Sequence, residues 1–500
     1  MKKKLFVWAG VAVLAVVTTL LAAVVIRTAT LISKQLTVES STLSTPEADE
    51  MAARLAGALR FHTVSYSDPS EFDARAFYGL HDYLEDSFPA VHAVMEREAV
   101  GKFSLLYTWQ GSDPTAAPML FLGHLDVVPA AEAGDKWEYP PFAGRVEEGF
   151  IWGRGAMDDK LAVTGLLESA EALIKSGFTP SRTIYLAFGH DEETGGQNGA
   201  RQIVELLVSR GIQAEFALDE GLIITDGIMP GVASPVALIG IAEKGTMFVE
   251  LTAHAAGGHS SMPPAQTAVG TLAQALIALN ENPLPSRLVS PIREMFAYTA
   301  PEMSLPMKAI FGNMWLFEGL VRSQMAAKPS TNAQVRTTTA PTMLWGSPAE
   351  NVLPNEARAV VNYRLLSGDT IDQVLEYVQD TVDNPNVKVS LAKAISGEAS
   401  QISTTDSRAF ETIHKTVKQV FPQALVAPSM MVGYSDSRQY SPVAKDIYRF
   451  VPIVAQQKDL DRIHGINERL SVENYQKLVA FYMQFIMNCA GLPVQVASAD

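Results

Sequence analysis

Four segments of the sequence carry carboxylates, two of them together with a histidine, and these are the side chains that bind divalent metal ions and move protons. They are GHLDVVP with His124 and Asp126, GRGAMDDK with Asp158 and Asp159, GHDEETGG with Glu192 and Glu193, and LDEG with Asp219. Imidazole and carboxylate ligands suit zinc, and carboxylate-rich sites also admit manganese or cobalt. Two divalent ions ~3.5–4 Å apart need a bridging carboxylate and further anions around them, which this mixture could supply.

The spacing within two motifs suggests a division of roles. In His124-Leu125-Asp126 the imidazole can bind an ion while a nearby carboxylate holds its other ring nitrogen. Adjacent side chains point in different directions, so one carboxylate of the pair Glu192–Glu193 can bind metal while the other faces a water molecule as general base.

Each motif alone also has an ordinary structural explanation. A lone H-x-D is common on protein surfaces, and an acidic run such as Asp191–Glu193 is usually a solvated loop. Asp158 and Asp159 could stabilise the start of a helix. The occurrence of all the motifs in order, most of them directly after a strand-like run, favours one shared site.

The elements that must position these motifs are strands that alternate with helices. The predicted strands are Phe103–Trp109, Met119–Gly123, Thr183–Gly189 and Glu215–Leu218, and the predicted helices between them are Leu161–Lys175 and Ala200–Ser209. This order predicts an α/β domain with a mostly parallel sheet flanked by helices. Because such sheets form their sites beyond the carboxyl ends of the strands, we expect the motifs to converge there.

The pattern changes after about Glu243, where strands with polar alternation and a helix predict an inserted, smaller α+β domain. The predicted organisation is an anchor and tether (1–45), the first part of the catalytic domain (46–243), the inserted domain (244–366) and the second part of the catalytic domain (367–500). Leu284–Ser330 is rich in Met and aromatic residues, which indicates either packing within the inserted domain or a surface for an acyl chain near the active site.

The charge balance and the cysteine count limit the partners and the kinds of metal site that this protein could have. The 500 residues include 39 Lys and Arg against 54 Asp and Glu, for a net charge of −15, which argues against nucleic acid as the main partner. The single cysteine, Cys489, excludes an internal disulfide framework and any multi-cysteine metal site.

The N-terminal segment reads as a membrane anchor. Three lysines precede the uncharged run Leu5–Ile26, which as a helix would be ~33 Å long and could cross a bilayer core of ~30 Å. A cleaved signal peptide and a buried core helix are the alternatives. The lysines favour a cytoplasmic N-terminus, so the remainder would lie on the periplasmic, lumenal or extracellular side, or be secreted after cleavage.

Together with GGHSSMPP and IHGINERL, the four motifs resemble the M20 metallopeptidase family, and the segments GYSDSRQY and NVLPNEARAVVNYRLLSGDT resemble one branch of it. The resemblance is closer to the branch that contains vacuolar carboxypeptidase S and N-fatty-acyl-amino-acid synthase/hydrolase. It covers roughly residues 46–490, and six motifs follow in the family's order.

The resemblance implies two zinc ions per chain, with Mn²⁺ or Co²⁺ as possible substitutes. It implies His124 and Asp219 as ligands of one ion, Glu193 and His464 as ligands of the other, Asp158 as the bridge, Glu192 as general base and Asp126 as the partner that orients His124. It also implies a cis peptide bond between Asp158 and Asp159.

Three further residues gain roles only from the resemblance. His259 would be a lid histidine that reaches the partner subunit's active site, which makes the inserted domain a lid and dimerisation domain and the protein a homodimer. Arg438 would hold the substrate carboxylate, and Arg364 matches a family arginine of less certain role.

The sequence therefore predicts a membrane-anchored dinuclear zinc amidohydrolase that cleaves N-acyl amino acids, with N-fatty-acyl amino acids among the candidate substrates. A carboxypeptidase or dipeptidase acting on short peptides is the near alternative, because both substrate classes present an amide beside a free carboxylate. A non-catalytic, membrane-tethered binding domain is the remote one.

Overall fold

The computed structural model describes residues 2–66, 68–130 and 136–491, and these residues alternate strands with helices over most of the chain. Their helices are α1 (Lys2–Ala29), α2 (Ala48–Ala58), α3 (Ala74–Ser87), α4 (Pro89–Val94), α5 (Lys160–Lys175), α6 (Ala200–Ser209), α7 (Ala268–Glu281), α8 (Ser290–Thr299), α9 (Leu305–Phe311), α10 (Met314–Ala326), α11 (Pro329–Val335), α12 (Ile371–Val382), α13 (Arg408–Val420), α14 (Gln457–Leu460) and α15 (Val472–Ala490).

The strands of the described residues are β1 (Glu96–Val100), β2 (Ser104–Trp109), β3 (Met119–His124), β4 (Arg145–Glu147), β5 (Phe150–Trp152), β6 (Ile184–Gly189), β7 (Ala214–Thr225), β8 (Val236–Glu243), β9 (Gly245–His254), β10 (Gly258–His259), β11 (Thr338–Trp345), β12 (Val352–Leu353), β13 (Glu356–Leu365), β14 (Val387–Leu391), β15 (Leu425–Met431), β16 (Ala444–Ala455) and β17 (Arg469–Ser471). Residue 1, in the predicted anchor, and residues 492–500, in the predicted second part of the catalytic domain, lie outside the described part.

An eight-stranded sheet in the order β1-β2-β6-β3-β7-β16-β8-β15 forms the centre of the molecule. Its pairs β6–β3, β3–β7, β7–β16 and β8–β15 are parallel, and β1–β2 and β2–β6 are antiparallel. Helices cover both faces of the sheet, so every residue of β3 and β6 is buried. The two strands accordingly consist almost entirely of apolar residues. The predicted α/β fold class is confirmed.

Helices α5 and α15 pack together against one face of this sheet, and α6 packs against the other. Gly165 of α5 lets the two helices approach closely, because a Cβ at this position would lie 2.2 Å from Cδ2 of Leu478. Phe485 of α15 then reaches the sheet and contacts the rings of Phe121 and Phe216. The helix pair thereby covers the strands that carry the candidate metal ligands.

The second sheet, in the order β11-β13-β9-β14, has a hydrophobic core of its own with α7 and α12. It extends past the predicted boundary at residue 366, because β14 pairs with β9. Helix α12 begins at a capping box between Thr370 and Gln373 and buries Val374 and Val378 in this small core. Residues 288–335, by contrast, pack on the main core through side chains such as Ile292 and Phe296.

Helix α1 carries a stretch, Lys4–Ala29, of mean hydropathy 2.7 that is long and apolar enough to cross a membrane, as judged by length and composition. The segment after this helix, predicted as a tether, is hydrogen-bonded to the rest of the protein. The Gln35 side chain hydrogen-bonds both the N–H and the carbonyl of Val426, and the N–H of Ser41 donates to the carbonyl of Gln419. This segment therefore fixes the base of α1 to the globular body.

Truncation of Phe485 should destabilise the fold more than truncation of a surface residue. Phe485→Ala removes a fully buried ring and should lower the free energy of unfolding by about 3–5 kcal/mol, because a cavity remains between α15 and the sheet. Chemical denaturation followed by far-UV circular dichroism measures this loss. Val208→Ala, at a half-exposed position of α6, is the matched control and should change little. Similar losses in the two variants would contradict this packing.

Candidate active site

The central strands β6, β3 and β7 bring the chemical motifs together. Strand β3 ends at His124, β6 leads directly into the segment His190–Glu193, and β7 contains Asp219 and Glu220. Because β6 and β7 each run parallel to β3, all three deliver these residues to the same edge of the sheet. The structure thus contains the predicted convergence of these motifs.

Asp158 lies between two histidines that are far apart in sequence. Its Oδ1 is 2.9 Å from Nε2 of His124, and its Oδ2 is 2.9 Å from Nε2 of His464. The two oxygens of one carboxylate thus face two different imidazoles, which is the arrangement expected of a bridging ligand. The peptide bond between Asp158 and Asp159 is cis, as the resemblance implies.

Two more glutamates complete the cluster around these histidines. Glu193 Oε1 is 3.4 Å from Nε2 of His464, and Glu220 Oε1 is 3.6 Å from Nε2 of His124. Within the described residues, His124, Asp158 and Glu193 form one group whose ligand atoms lie within 4.8 Å of one another, and His124, Asp159 and Glu220 form a second.

The geometry at LDEG differs from the expectation for Asp219. Asp219 Oδ2 accepts a hydrogen bond of 2.9 Å from the backbone N–H of Ser437, whereas Glu220 is the residue whose carboxylate faces His124. The pairing of β7 with β16 shifts register directly after Asp219, and in this structure Glu220 is the neighbour that faces His124. The predicted role of Asp219 as a ligand stays a prediction.

Asp126 is fully buried beneath the cluster and organises it through two contacts. Its backbone carbonyl lies 2.9 Å from Nδ1 of His124, and its carboxylate accepts the N–H groups of Glu192 and Glu193 at 3.2 Å each. The carboxylate is also 3.4 Å from Nδ1 of His124. Asp126 thus orients the imidazole as expected and also fixes the backbone of the two glutamates.

Glu468 joins the two distant parts of the cluster. Its fully buried carboxylate accepts the N–H groups of Gly155 and Met157 at 3.0 and 2.8 Å and pairs with Arg154. The Arg154 guanidinium in turn donates to the carbonyl of His464 at 3.0 Å. This clasp holds the loop before Asp158 against the loop that carries His464. Sequence analysis missed Glu468, although it lies inside the motif IHGINERL.

The cluster concentrates titratable groups in a buried place. Burial raises the pKa of Glu192 and of Glu220 well above the usual values, and neighbouring carboxylates, Asp158 among them, add to the effect. Hydrogen bonds to carboxylates, with Asp158 first, raise the pKa of His464 to about 10. At His124 burial works in the opposite direction, but Glu220 and other acids outweigh it and raise the pKa well above its usual value.

The donor set fits divalent metal ions. It consists of imidazole nitrogens and carboxylate oxygens, the ligands that zinc accepts, and it contains no thiolate among the described residues. Glu193 Oε1 is buried without a hydrogen-bond partner among these residues, so an oxygen is left that a metal ion would satisfy. Metal ligands must be deprotonated, and an ion would replace the protons that the two histidines hold.

A cavity of about 690 Å³ adjoins the cluster. Asp158, Glu192, Glu193, Glu220 and His464 line one end of it. Apolar side chains line much of the remainder, and we call five of them, Ile223, Met431, Val451, Ile453 and Ile463, the apolar wall. No residue between 284 and 330 lines this cavity, so that Met-rich segment does not supply the apolar surface considered for it above.

The two predicted arginines lie in different environments. Arg364 lines the cavity, and its Nη1 is buried without a hydrogen-bond partner among the described residues. Arg438 does not line it, because its guanidinium pairs with the buried Glu243 at 3.0 Å and covers the ring of Tyr434, which does. Arg364, and not Arg438, thus borders the cavity in this structure, and the predicted role of Arg438 stays a prediction.

His259 lies on β10, which pairs with β12 within the predicted inserted domain. It is exposed, its Nδ1 is 2.8 Å from the hydroxyl of Ser261, and it is not among the residues that line the cavity. Its predicted role in a partner subunit stays a prediction.

Comparison with known proteins identifies the group to which this architecture belongs. The model of peptidase family M20/M25/M40 matches residues 120–488. "Probable carboxypeptidase S-like 2" of Dictyostelium discoideum is 42% identical over 443 residues, which cover 88% of this chain and 85% of that protein. "N-fatty-acyl-amino acid synthase/hydrolase PM20D1" of Xenopus tropicalis is 40% identical over 450 residues, which cover 89% and 87%.

The fold is also similar to that of solved structures. An M20 family metallo-carboxypeptidase, Sso-CP2 from Sulfolobus solfataricus, superposes with a TM-score of 0.66 over 88% of this chain and 98% of that chain. The two are 16% identical in sequence, so this comparison bears on the fold alone.

The roles of Asp219 and Glu220 can be separated by counting bound metal. Glu220→Gln removes a charged ligand that faces His124 and should lower the metal content below that of the unsubstituted protein, as measured by mass spectrometry after dialysis. Asp219→Asn keeps the shape of the side chain and an oxygen that can accept the N–H of Ser437, so this variant should retain the full metal content. Loss of metal from Asp219→Asn alone, with circular dichroism unchanged, would restore Asp219 as the ligand.

Proposed function

This chain belongs to peptidase family M20/M25/M40, a family of metal-dependent hydrolases, and we propose that it hydrolyses the amide bond of N-acyl amino acids with long apolar acyl groups. The observation that carries the proposal is the cavity beside the metal-ligand cluster, which combines the apolar wall with Arg364, whose buried Nη1 has no hydrogen-bond partner among the described residues. A substrate with a carboxylate at one end and a hydrocarbon chain at the other matches both features.

The proposed cofactor is a pair of zinc ions. His124 and Glu220 would hold one ion, His464 and Glu193 the other, and Asp158 would bridge them, which its two oxygens support by facing the two histidines. Bound zinc would polarise the scissile carbonyl and lower the pKa of water. A carboxylate that both ions share would keep them close despite their mutual repulsion.

Glu192 is the proposed general base. Its side chain lines the cavity and is largely buried, and its backbone N–H is fixed by Asp126 at 3.2 Å. Its carboxylate would take a proton from the attacking water and pass it to the nitrogen of the leaving amine. Burial raises the pKa of Glu192 above its usual value, which makes this carboxylate a stronger base.

Arg364 is the proposed binding group for the substrate carboxylate. A guanidinium can bind a carboxylate with two parallel hydrogen bonds, and this one has an unsatisfied N–H beside the cavity. It stands on β13, next to Thr246 of β9, which also lines the cavity. The small unit would therefore contribute to recognition of the substrate while the central sheet supplies the metal ligands.

The apolar wall is the proposed site of the acyl chain. Ile223 belongs to β7, Met431 to β15, and Val451 and Ile453 to β16, so four of the five residues of the wall stand on strands of the central sheet, while Ile463 lies in the loop that carries His464. Each CH₂ group buried there would contribute about 0.8 kcal/mol to binding. Short peptides present the same amide and carboxylate, and they remain the second candidate because one relative is named a carboxypeptidase S-like protein.

Two aspects of the proposal concern the assembled protein. We propose that α1 anchors the chain in a membrane, with the hydrolase on the non-cytoplasmic side. We also propose a homodimer in which His259 reaches the site of the partner chain, a role compatible with its exposure on the small unit.

Substitution of Glu192 should separate catalysis from metal binding. Glu192→Gln should keep the metal content and lower kcat by roughly 10²–10⁴-fold, because the amide cannot accept the proton of the attacking water. Steady-state kinetics and metal analysis of the same preparation measure both quantities. If metal is lost along with activity, Glu192 is a ligand and the base must be sought elsewhere.

Paired arginine substitutions should show which guanidinium binds the substrate carboxylate. Arg364→Lys should lower kcat/KM for free-acid substrates by about 10–100-fold, which corresponds to ~1.5–3 kcal/mol for a charged hydrogen bond. It should change the rates for the corresponding amides far less. Arg438→Lys is the matched control, and it should affect acids and amides alike because it disturbs Glu243 and Tyr434. The opposite pattern would return the role to Arg438.

A substrate series tests the function itself. Rates for acetyl-, dodecanoyl- and aminoacyl-amino acids should rank the dodecanoyl compound first in kcat/KM if the apolar wall binds the acyl chain. A preference for aminoacyl substrates would favour the peptidase alternative. Absence of hydrolysis in a protein with its full metal content would leave only a binding role.

A further inference from the structure

Helices α9 and α10 expose an apolar surface that the hydrolase does not use. Leu305, Trp315, Leu316 and Leu320 are 72%, 50%, 42% and 51% exposed, and we call them the apolar patch. Leu316 and Leu320 are one helical turn apart and share a face of α10. The opposite face buries Val321 and Met325 in the main core, so this helix is apolar on both sides.

The base of α1 docks at the turn between these two helices. Arg27 Nε donates to the carbonyl of Gly312 at 3.1 Å, and Asn313 Nδ2 donates to the hydroxyl of Thr28 at 3.0 Å. A Cβ on Gly312 would lie 2.3 Å from Cδ1 of Leu31, so the close approach depends on glycine at this position. The turn is thus built to receive the end of α1.

This contact fixes the height of the apolar patch relative to the apolar part of α1. Leu5–Ile26 carries no charge, and Arg27 is the first cation after it. With a rise of ~1.5 Å per residue, Thr28 lies within about one helical turn of that boundary. Trp315 follows two residues after Asn313, the partner of Thr28, and so lies close to the same level. Tryptophan and leucine are the residues that favour the interface between lipid headgroups and acyl chains.

We propose that the apolar patch inserts into the lipid surface of the same bilayer that α1 spans. The inference rests on the proposed role of α1 as an uncleaved anchor and adds a second, in-plane contact between the body and the membrane. One membrane-spanning helix alone leaves the body free to tilt about it, whereas a helix pair lying in the interface sets its orientation.

The apolar patch is connected to the substrate cavity through one short loop. The N–H of Ser304, next to Leu305, donates to the carbonyl of Gly231 at 3.0 Å. Gly231 lies in the loop after β7, the strand from which Ile223 contributes to the apolar wall. This hydrogen bond joins the segment before the apolar patch to the loop that follows β7.

Site-directed fluorescence on the full chain in lipid vesicles tests the proposal. Cys489 is buried, so a thiol-reactive, environment-sensitive fluorophore will report on introduced cysteines. Leu316→Cys and Leu320→Cys probe the apolar patch, and Leu344→Cys, 64% exposed on β11 of the small sheet, is the matched control. Val13→Cys, within α1, reports on the anchor itself. The quencher is a phospholipid that carries a nitroxide close to its headgroup.

The expected result is quenching at positions 316 and 320 that is at least threefold stronger than at position 344. Quenching at position 13 alone, by a nitroxide placed deep in the acyl chain, would confirm the anchor and overturn the proposed contact. Absence of quenching at position 13 as well would overturn the anchor and this inference together. A blue-shifted label at position 316 without lipid quenching would assign the patch to a protein partner, which also overturns it.

Discussion

The crowding of negative charge at one edge of the central sheet is the constraint on which the rest of the structure depends. Seven carboxylates lie in or directly beneath the cluster: Asp126, Asp158, Asp159, Glu192, Glu193, Asp219 and Glu220. Burial of an anion is costly unless it is paired or hydrogen-bonded. The two imidazoles that face the cluster cannot balance so many acids, which is why the site fits divalent cations and why it needs a surrounding layer of donors.

That layer is built from backbone N–H groups and guanidinium ions. Asp126 takes two N–H groups from the glutamate segment, Asp219 takes one from Ser437, and Glu468 takes two from the loop before Asp158. Glu243, fully buried nearby, pairs with both Arg438 and Arg449. Each acid held in this way has a fixed orientation, so the carboxylates left to face the cavity are those without a competing partner.

Sequence reasoning located the cluster because parallel strands bring the residues at their carboxyl ends to one edge of a sheet, and that rule needs only the strand pattern and the motifs. It could not decide between Asp219 and Glu220, since both lie in one strand and the face that each presents depends on the register of β7 with its neighbours. It also could not predict the ion pair between Glu243 and Arg438, because two residues almost two hundred positions apart leave no local pattern in the sequence. The pairing of β14 with β9 in the second sheet could not be predicted for the same reason. The start of the preceding helix α12, by contrast, is visible in the sequence as a cap at Thr370.

The contacts of Glu468 make assembly of the metal-ligand cluster depend on the last part of the chain to be synthesised. His464 and Glu468 join a loop that precedes them by some three hundred positions, so most of the polypeptide must leave the ribosome before the cluster can close. Contacts this distant in sequence form late, after the loop-closure entropy has been overcome. A nascent chain would therefore keep its ligands scattered until these late residues have emerged, and it could not capture a metal ion at this site before its synthesis is nearly complete.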